Sequence, residues 1–156
     1  MRGNFLEIRV DDLTGEKITA LIHQHLSGMH DITPAESVHA LPLEKLKQPD
    51  ITFWSVWDQD DLMGCGALKE LNPTHGEIKS MRTASAHLRK GVAGKLIEHL
   101  LLEARLRGYT RVSLETGTSE EFVAAQRLYE KYGFTYCDPF ADYKLDPNSM
   151  FMKLDL

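Results

Sequence analysis

HGEIKSMRTASAHLRKGVAGKLIEHLLLEARLR, residues 75–107, is the stretch whose reading decides the fold. Glu77 to Thr83 alternate their side chains as a short strand does. A turn follows and ends in Arg89-Lys90-Gly91-Val92-Ala93-Gly94. Beyond it Leu96, Ile97, Leu100, Leu101, Ala104 and Leu106 recur at helical spacing, which predicts a long amphipathic helix with those residues on its buried side.

Chemistry is expected at the turn. Gly91 and Gly94 carry no Cβ, so a ligand can come close to the main chain there. The first turn of a helix leaves backbone N–H groups without intrahelical partners, and those groups and the helix dipole favour an anion. Arg89, Lys90 and Lys95 add positive charge at the same point. A phosphate or pyrophosphate suits this arrangement. No Gly-Lys-Ser or Gly-Lys-Thr follows, and Gly91-x-x-Gly94 lacks the G-x-G-x-x-G spacing, so neither a nucleoside-triphosphate loop nor a dinucleotide fingerprint is present. The alternative reading is a basic turn before a surface helix.

Outward from that stretch, the chain has 156 residues, enough for one domain (1–156) with a sizeable core, and an ordinary globular composition. Its net charge of −5 argues against general nucleic-acid binding and makes the basic turn a local feature. Cys65 and Cys137 form no Cys-x-x-Cys pair, which suits a reducing compartment. No apolar run is long enough to span a membrane, and the N-terminal residues show no signal-peptide core. A cytoplasmic location is the expectation.

Phe5 to Val10 alternates as a first strand, and a helix is expected from about Glu16 to Ser27, with Ile18, Leu21, Ile22 and His25 or Leu26 inward and Gly28 as its stop. Thr33-Pro34-Ala35-Glu36 is a helix start, soon interrupted by Pro42, with another turn or two across Leu43 to Gln48. His23, His25, His30 and His39 cluster in this region. His23 and His25 are two apart on a helix and face different sides, and no metalloprotease spacing accompanies them, so no metal site is expected.

Ile51 to Trp57 and Leu62 to Leu71 read as two strands around the polar turn Asp58-Gln59-Asp60-Asp61. Gly64 and Gly66 in mid-strand predict a bulge or a close neighbour. Asn72 to Gly76 is a turn into the Glu77–Thr83 strand. After the long helix, Gly108 is the stop, and Arg111 to Thr116 is a strand expected to lie parallel to Glu77–Thr83 through a right-handed crossover. Ser119 or Thr118 caps a helix reaching about Tyr132, stopped by Gly133. A strand starting at Phe134, a loop over 138–148 and a last strand from Ser149 complete the chain.

Two motifs in order carry a family resemblance. Strand, Arg89-Lys-Gly-Val-Ala-Gly94 and helix resemble motif A of the GNAT superfamily of N-acetyltransferases, with Gly91 and Ala93 at the two small positions. Ala125-x-x-Leu-Tyr129-x-x-x-Gly133-Phe134 resembles its motif B. The resemblance extends over residues 50–136, and over the rest by length and element order. It departs at Leu88, where the family has Arg or Gln, and at Phe122, where it often has a CoA-contacting Asn. Arg89 and Lys90 stand beside the first departure, and the backbone of Glu115-Thr116-Gly117 would serve at the second.

The resemblance implies an α/β fold: a GNAT-like single domain with a mixed central sheet of about six to seven strands, flanking helices and a splayed parallel strand pair. It implies acetyl-CoA as co-substrate and no metal. Met81, Arg82 and Thr83 would hydrogen-bond the pantetheine arm through their main chain, and Arg89, Lys90, Gly91, Val92, Ala93 and Gly94 would hold the pyrophosphate. The implied reaction is direct attack of a primary amine in a ternary complex. It needs a base for the amine, a donor for the oxyanion and a proton for the leaving thiolate. Glu77 is the candidate base, Tyr129 the candidate acid and a main-chain N–H at Thr83 the oxyanion donor.

The stretch from Met29 to Pro49 would wall the acceptor pocket. Phe140, Asp142, Tyr143, Asp146 and Asn148 would close over a cationic acceptor, or form an ordered loop or a dimer contact. The acceptor, a small-molecule amine or a peptide, is open. So is a homodimer, since many family members pair through their last strands; no nucleic-acid or membrane partner is expected. A non-catalytic acyl-CoA-binding or sensing domain is the alternative, against which the presence of both Glu77 and Tyr129 counts.

Overall fold

The computed structural model describes residues 6–32, 43–84, 87–88 and 91–156, with only the helical course given for 25–32. In chain order the main elements are β1 (Glu7–Val10), α1 (Glu16–Ile32), β2 (Ile51–Asp58), β3 (Asp61–Asn72), β4 (His75–Thr83), α2 (Val92–Leu106), β5 (Arg111–Gly117), α3 (Val123–Lys131), β6 (Thr135–Cys137) and β7 (Ser149–Asp155). Short 3₁₀ turns cover Lys45–Lys47 and Glu120–Phe122. The strands form one mixed sheet in the order β1-β2-β3-β4-β5-β7-β6.

Each face of the sheet buries its own core. Alternation along the strands sends Trp54, Val56, Leu68 and Ile78 to one face, where they meet Leu96, Ile97, Leu100, Leu101 and Ala104 of α2 and Tyr129 of α3. Phe53, Cys65 and Ala67 point the other way, against Ile18, Leu21 and Ile22 of α1 and Leu46. The apolar stripe from Leu96 to Ala104 of α2, and Ile18, Leu21 and Ile22 of α1, are buried as the spacing predicts. Leu106, expected on the same side, is 74% exposed, because two residues beyond Ala104 turn it about 200° away from that stripe.

Two of the three predicted glycine stops hold, those at Gly108 and Gly133. The N–H of Tyr109 donates to the carbonyl of Ala104, and that of Phe134 to the carbonyl of Tyr129, closing Schellman turns through left-handed Gly108 and Gly133. Three boundaries differ from expectation. α1 runs through Gly28 to Ile32, because a single glycine costs a helix only about 1 kcal/mol and its N-terminal half is anchored in the core. His75 and Gly76 belong to β4 rather than to the turn, since they pair with Asn72 and Glu70 of β3 and with Arg111 and Val112 of β5. Neither Ser119 nor Thr118 caps the following turn with its side chain; the Thr118 hydroxyl donates to the carbonyl of Pro147 instead. The helix start expected at Thr33 lies outside the described residues.

Two features of β4 shape the functional site. It pairs in parallel with β5 from His75–Arg111 to Ile78–Leu114, and there the ladder ends. Beyond that point β4 runs on to Thr83 beside β3, while β5 stays with β7 as far as Gly117. The sheet thus opens between its parallel strands. The second feature is a bulge: Cys65 and Ala67 of β3 stand opposite Arg82 and Lys79 of β4, so that Gly66 alone faces Ser80 and Met81, with Ser80 at φ 55°.

Candidate active site

The start of α2 stands at the open end of the sheet. Gly91, its N-cap, has φ 79° and open space where a Cβ would lie. The N–H of Lys95 donates to the carbonyl of Gly91, so the N–H groups of Val92, Ala93 and Gly94 precede the first intrahelical bond. Val92 is buried, whereas Ala93 and Gly94 are half-buried. Gly64 lets this helix start and β4 approach each other across β3: a Cβ on it would lie 2.8 Å from the Arg82 carbonyl oxygen and 3.0 Å from Val92 Cγ1. Met81, Arg82 and Thr83 are half-buried along the stretch of β4 that has left β5. Arg89 and Lys90 lie outside the described residues.

Glu77 sits one residue before the end of the parallel ladder, buried on the α1 face. Its Oε2 accepts from the Tyr143 hydroxyl at 2.6 Å and from Lys79 Nζ at 3.1 Å, and Lys79 Nζ also donates to the Tyr143 oxygen at 2.8 Å. The side chains of Glu77 and Lys79 are only 3% and 9% exposed. Burial, followed by the Glu77 carboxylate, pushes the Tyr143 phenol far above its usual range, so it remains a donor.

Tyr143 belongs to the 138–148 loop, whose role the sequence left open. Its ring meets Phe140 and Phe151 edge-on or tilted at 5.1 and 5.5 Å, and Phe140 also packs on His75. This aromatic stack seats the loop over the sheet. Between them lies a cavity of about 490 Å3, lined by Lys69 and Leu71 of β3, Glu77 and Lys79 of β4 and residues 141–146. Sequence reasoning missed Lys79 as a site residue. Its signal was present, because strand alternation puts residue 79 on the face of residue 77.

Tyr129 lies on the opposite face, in the core beneath α3, with its ring 5.7 Å from that of Phe134. Burial raises its phenol to about 12. Gln126, one helical turn earlier, donates to the carbonyl of Gly117 and ties α3 to the end of β5. Glu77 and Tyr129 therefore flank the opening from opposite faces of the sheet. Among the described residues no group of three or more His, Cys, Asp or Glu side chains could hold a metal ion; His23 is exposed, and the side chains of His25, His30 and His39 fall outside them.

A mixed sheet opened between two parallel strands, with a helix start at the mouth, defines an acyltransferase class, and the comparisons agree. The family model described as Acetyltransferase (GNAT) family matches residues 19–134, and the chain belongs to that family. It is 58% identical over 147 residues to the uncharacterized N-acetyltransferase YsnE of Bacillus subtilis (strain 168), covering 94% of this chain and 97% of that one. It is 34% identical to the IAA acetyltransferase of Azospirillum brasilense, covering 90% and 92%. The crystal structure of a putative acyl-CoA N-acyltransferase from Klebsiella pneumoniae superposes with a TM-score of 0.77 at 27% identity, covering 97% of each chain. A Bacillus subtilis acetyltransferase in complex with CoA shares the fold at a TM-score of 0.73 and 19% identity, covering 97% and 99%.

Proposed function

We propose that residues 1–156 form one acetyl-CoA-dependent N-acetyltransferase domain, which moves an acetyl group to a primary amine by direct attack in a ternary complex. The observation that carries this reading is the opening between β4 and β5 with the first turn of α2 at its mouth. The residues fit the co-substrate: Gly91 leaves room where a side chain would intrude, and β4 has main-chain groups past Ile78 that β5 does not engage.

Acetyl-CoA supplies an activated thioester. In this reading Met81, Arg82 and Thr83 hold the pantetheine arm by main-chain hydrogen bonds. Arg89, Lys90 and the N–H groups from Gly91 to Gly94 hold the pyrophosphate. Glu77 takes the amine proton on Oε1, while Oε2 stays bound to Lys79 and Tyr143. The main-chain N–H of Thr83 faces the developing oxyanion. Tyr129, protonated throughout the physiological range, gives a hydrogen bond or its proton to the leaving sulfur. The amine enters through the cavity under the 138–148 loop.

Calorimetric titration with acetyl-CoA tests the reading, with an Arg89→Ala, Lys90→Ala double variant beside the wild type. Marked weakening in the variant supports the pyrophosphate site, and a primary-amine panel with Glu77→Gln and Tyr129→Phe then tests the chemistry. No binding at millimolar acetyl-CoA refutes this function and the non-catalytic binding alternative together.

A further inference from the structure

The bulge in β4 has a result that strand alternation alone does not predict. In a regular strand, residues 79 and 82 point to opposite faces. Here the extra residue at Ser80 brings them to the same face: Lys79 pairs with Ala67, and Arg82 with Cys65, both in the core beneath α1. Glu77, Lys79 and Arg82 therefore line up on one side of the sheet, beside and beyond the end of the β4–β5 ladder. The bulge holds Ser80 at φ 55°, a left-handed conformation that costs a non-glycine residue roughly 1 kcal/mol or more.

The two cations on this face differ in how far their donors are used. Lys79 is engaged by Glu77 and Tyr143. Arg82 Nε is buried and has no hydrogen-bond partner, and the neighbouring Ser80 Oγ is in the same state. Buried donors are paired in the great majority of cases, and an orphan of this kind needs an explanation. A guanidinium presents a fork that matches a carboxylate.

We propose that Arg82 recognises a carboxylate on the acceptor, so that the substrate is an amino acid or a similar amine carrying a carboxylate, held by Arg82 at one end with its amine directed to Glu77. The assignment rests on the acetyltransferase reading above. It involves the Arg82 side chain, whereas that reading uses the Arg82 main chain. Asp142 and Asp146, which line the cavity with Glu77, then lie at the ammonium end of a zwitterion, and Arg82 at its other end.

The test is steady-state acetylation of a panel of α-amino acids beside their decarboxylated amines and matching aminophosphonates, with acetyl-CoA binding measured separately by calorimetry. The quantity read is the ratio of kcat/KM for each amino acid over its decarboxylated amine. In the wild type this ratio is expected to be roughly 10 to 100, the worth of a charge-assisted hydrogen bond pair. It should collapse towards 1 in Arg82→Gln and take an intermediate value in Arg82→Lys, which keeps the charge and loses the fork. Arg82→Lys also gives a reading if the Gln variant does not fold. Acetyl-CoA binding with equal turnover of amino acids and decarboxylated amines overturns the inference and leaves the acetyltransferase reading standing. A preference for phosphonates, or a ratio unchanged in both variants, also overturns it. Absence of acetyl-CoA binding removes the two together.

Discussion

Lys79→Met is the perturbation whose effect follows most directly from the structure. It leaves the Glu77 carboxylate, 3% exposed, with the Tyr143 hydroxyl and no neighbouring cation at 3.1 Å. Removing one member of a buried pair costs about 3–5 kcal/mol, because the remaining charge stays desolvated. The surviving Tyr143 bond places this site near the lower bound, at about 3 kcal/mol. In a domain of this size each kcal/mol lowers Tm by about 2–4 °C, so the variant should melt about 6–12 °C below the wild type. Glu77→Gln, Lys79→Met should be more stable than Lys79→Met alone, because the orphaned charge is gone; a coupling above about 1 kcal/mol is expected. Urea unfolding of the wild type, both single variants and the double variant, with unchanged m-values, closes the cycle. A loss below about 0.5 kcal/mol for Lys79→Met, together with additivity, would refute the reasoning, since it would mean that the pair is solvated and the cavity open to bulk water.

Gly64→Ala drives a Cβ to 2.8 Å from a backbone oxygen that no rotamer change can move, so a loss of about 1–3 kcal/mol and weaker acetyl-CoA binding are expected by calorimetry and thermal melts. Gly15→Ala, whose Cβ meets Ile18 at an ordinary 3.8 Å, is the control and should stay within about 0.5 kcal/mol. Burial, and then the nearby Arg111 charge, lower the pKa of His75, whose Nε2 lies 2.7 Å from Ser113 Oγ. Its contribution to stability is therefore complete above the unfolded value of 6.5 and is lost as pH falls below it, because the unfolded chain takes up the proton first; urea midpoints of His75→Gln should vary less than those of the wild type over that window. Cys65 is buried with its thiol pushed up to about 12, whereas Cys137 is half-buried, so a disulfide reagent should titrate a single thiol in native protein and two in urea.

What could be read in advance was what depends on local spacing. The α2 stripe from Leu96 to Ala104 and the stops at Gly108 and Gly133 each follow from residues within a few positions of one another, and the parallel return of β5 follows from the helix that separates it from β4. The expectation for Gly64 and Gly66 held in both its forms, since the bulge and the close neighbours are both present. The run of α1 through Gly28 was not legible, because packing of Ile18, Leu21 and Ile22 outweighs the propensity of one residue. Nor was Arg82's face. Counting by twos from Glu77 sets it on the opposite side, and the shift at Ser80 is a property of the β3–β4 register, not of either strand. Tyr143 reaches Glu77 across 66 positions from a loop without periodicity, so no local pattern announces that contact. The aromatic and acidic make-up of the loop, with Phe140 and Tyr143 close together, marked it in the sequence without naming its partner.

A sheet ordinarily has two edges, where unpaired backbone can recruit foreign strands, and both outer edges here are short: four residues in β1 and three in β6. The parting of β4 from β5 creates a third edge in the interior of the sheet. It is only a few residues long and lies between α2 on one side and the loop bearing Tyr143 on the other. A slot of this form excludes a second polypeptide strand by its walls while admitting a thin, flexible chain end-on. The fold can therefore keep hydrogen-bonding backbone permanently available for a ligand without offering a template for aggregation.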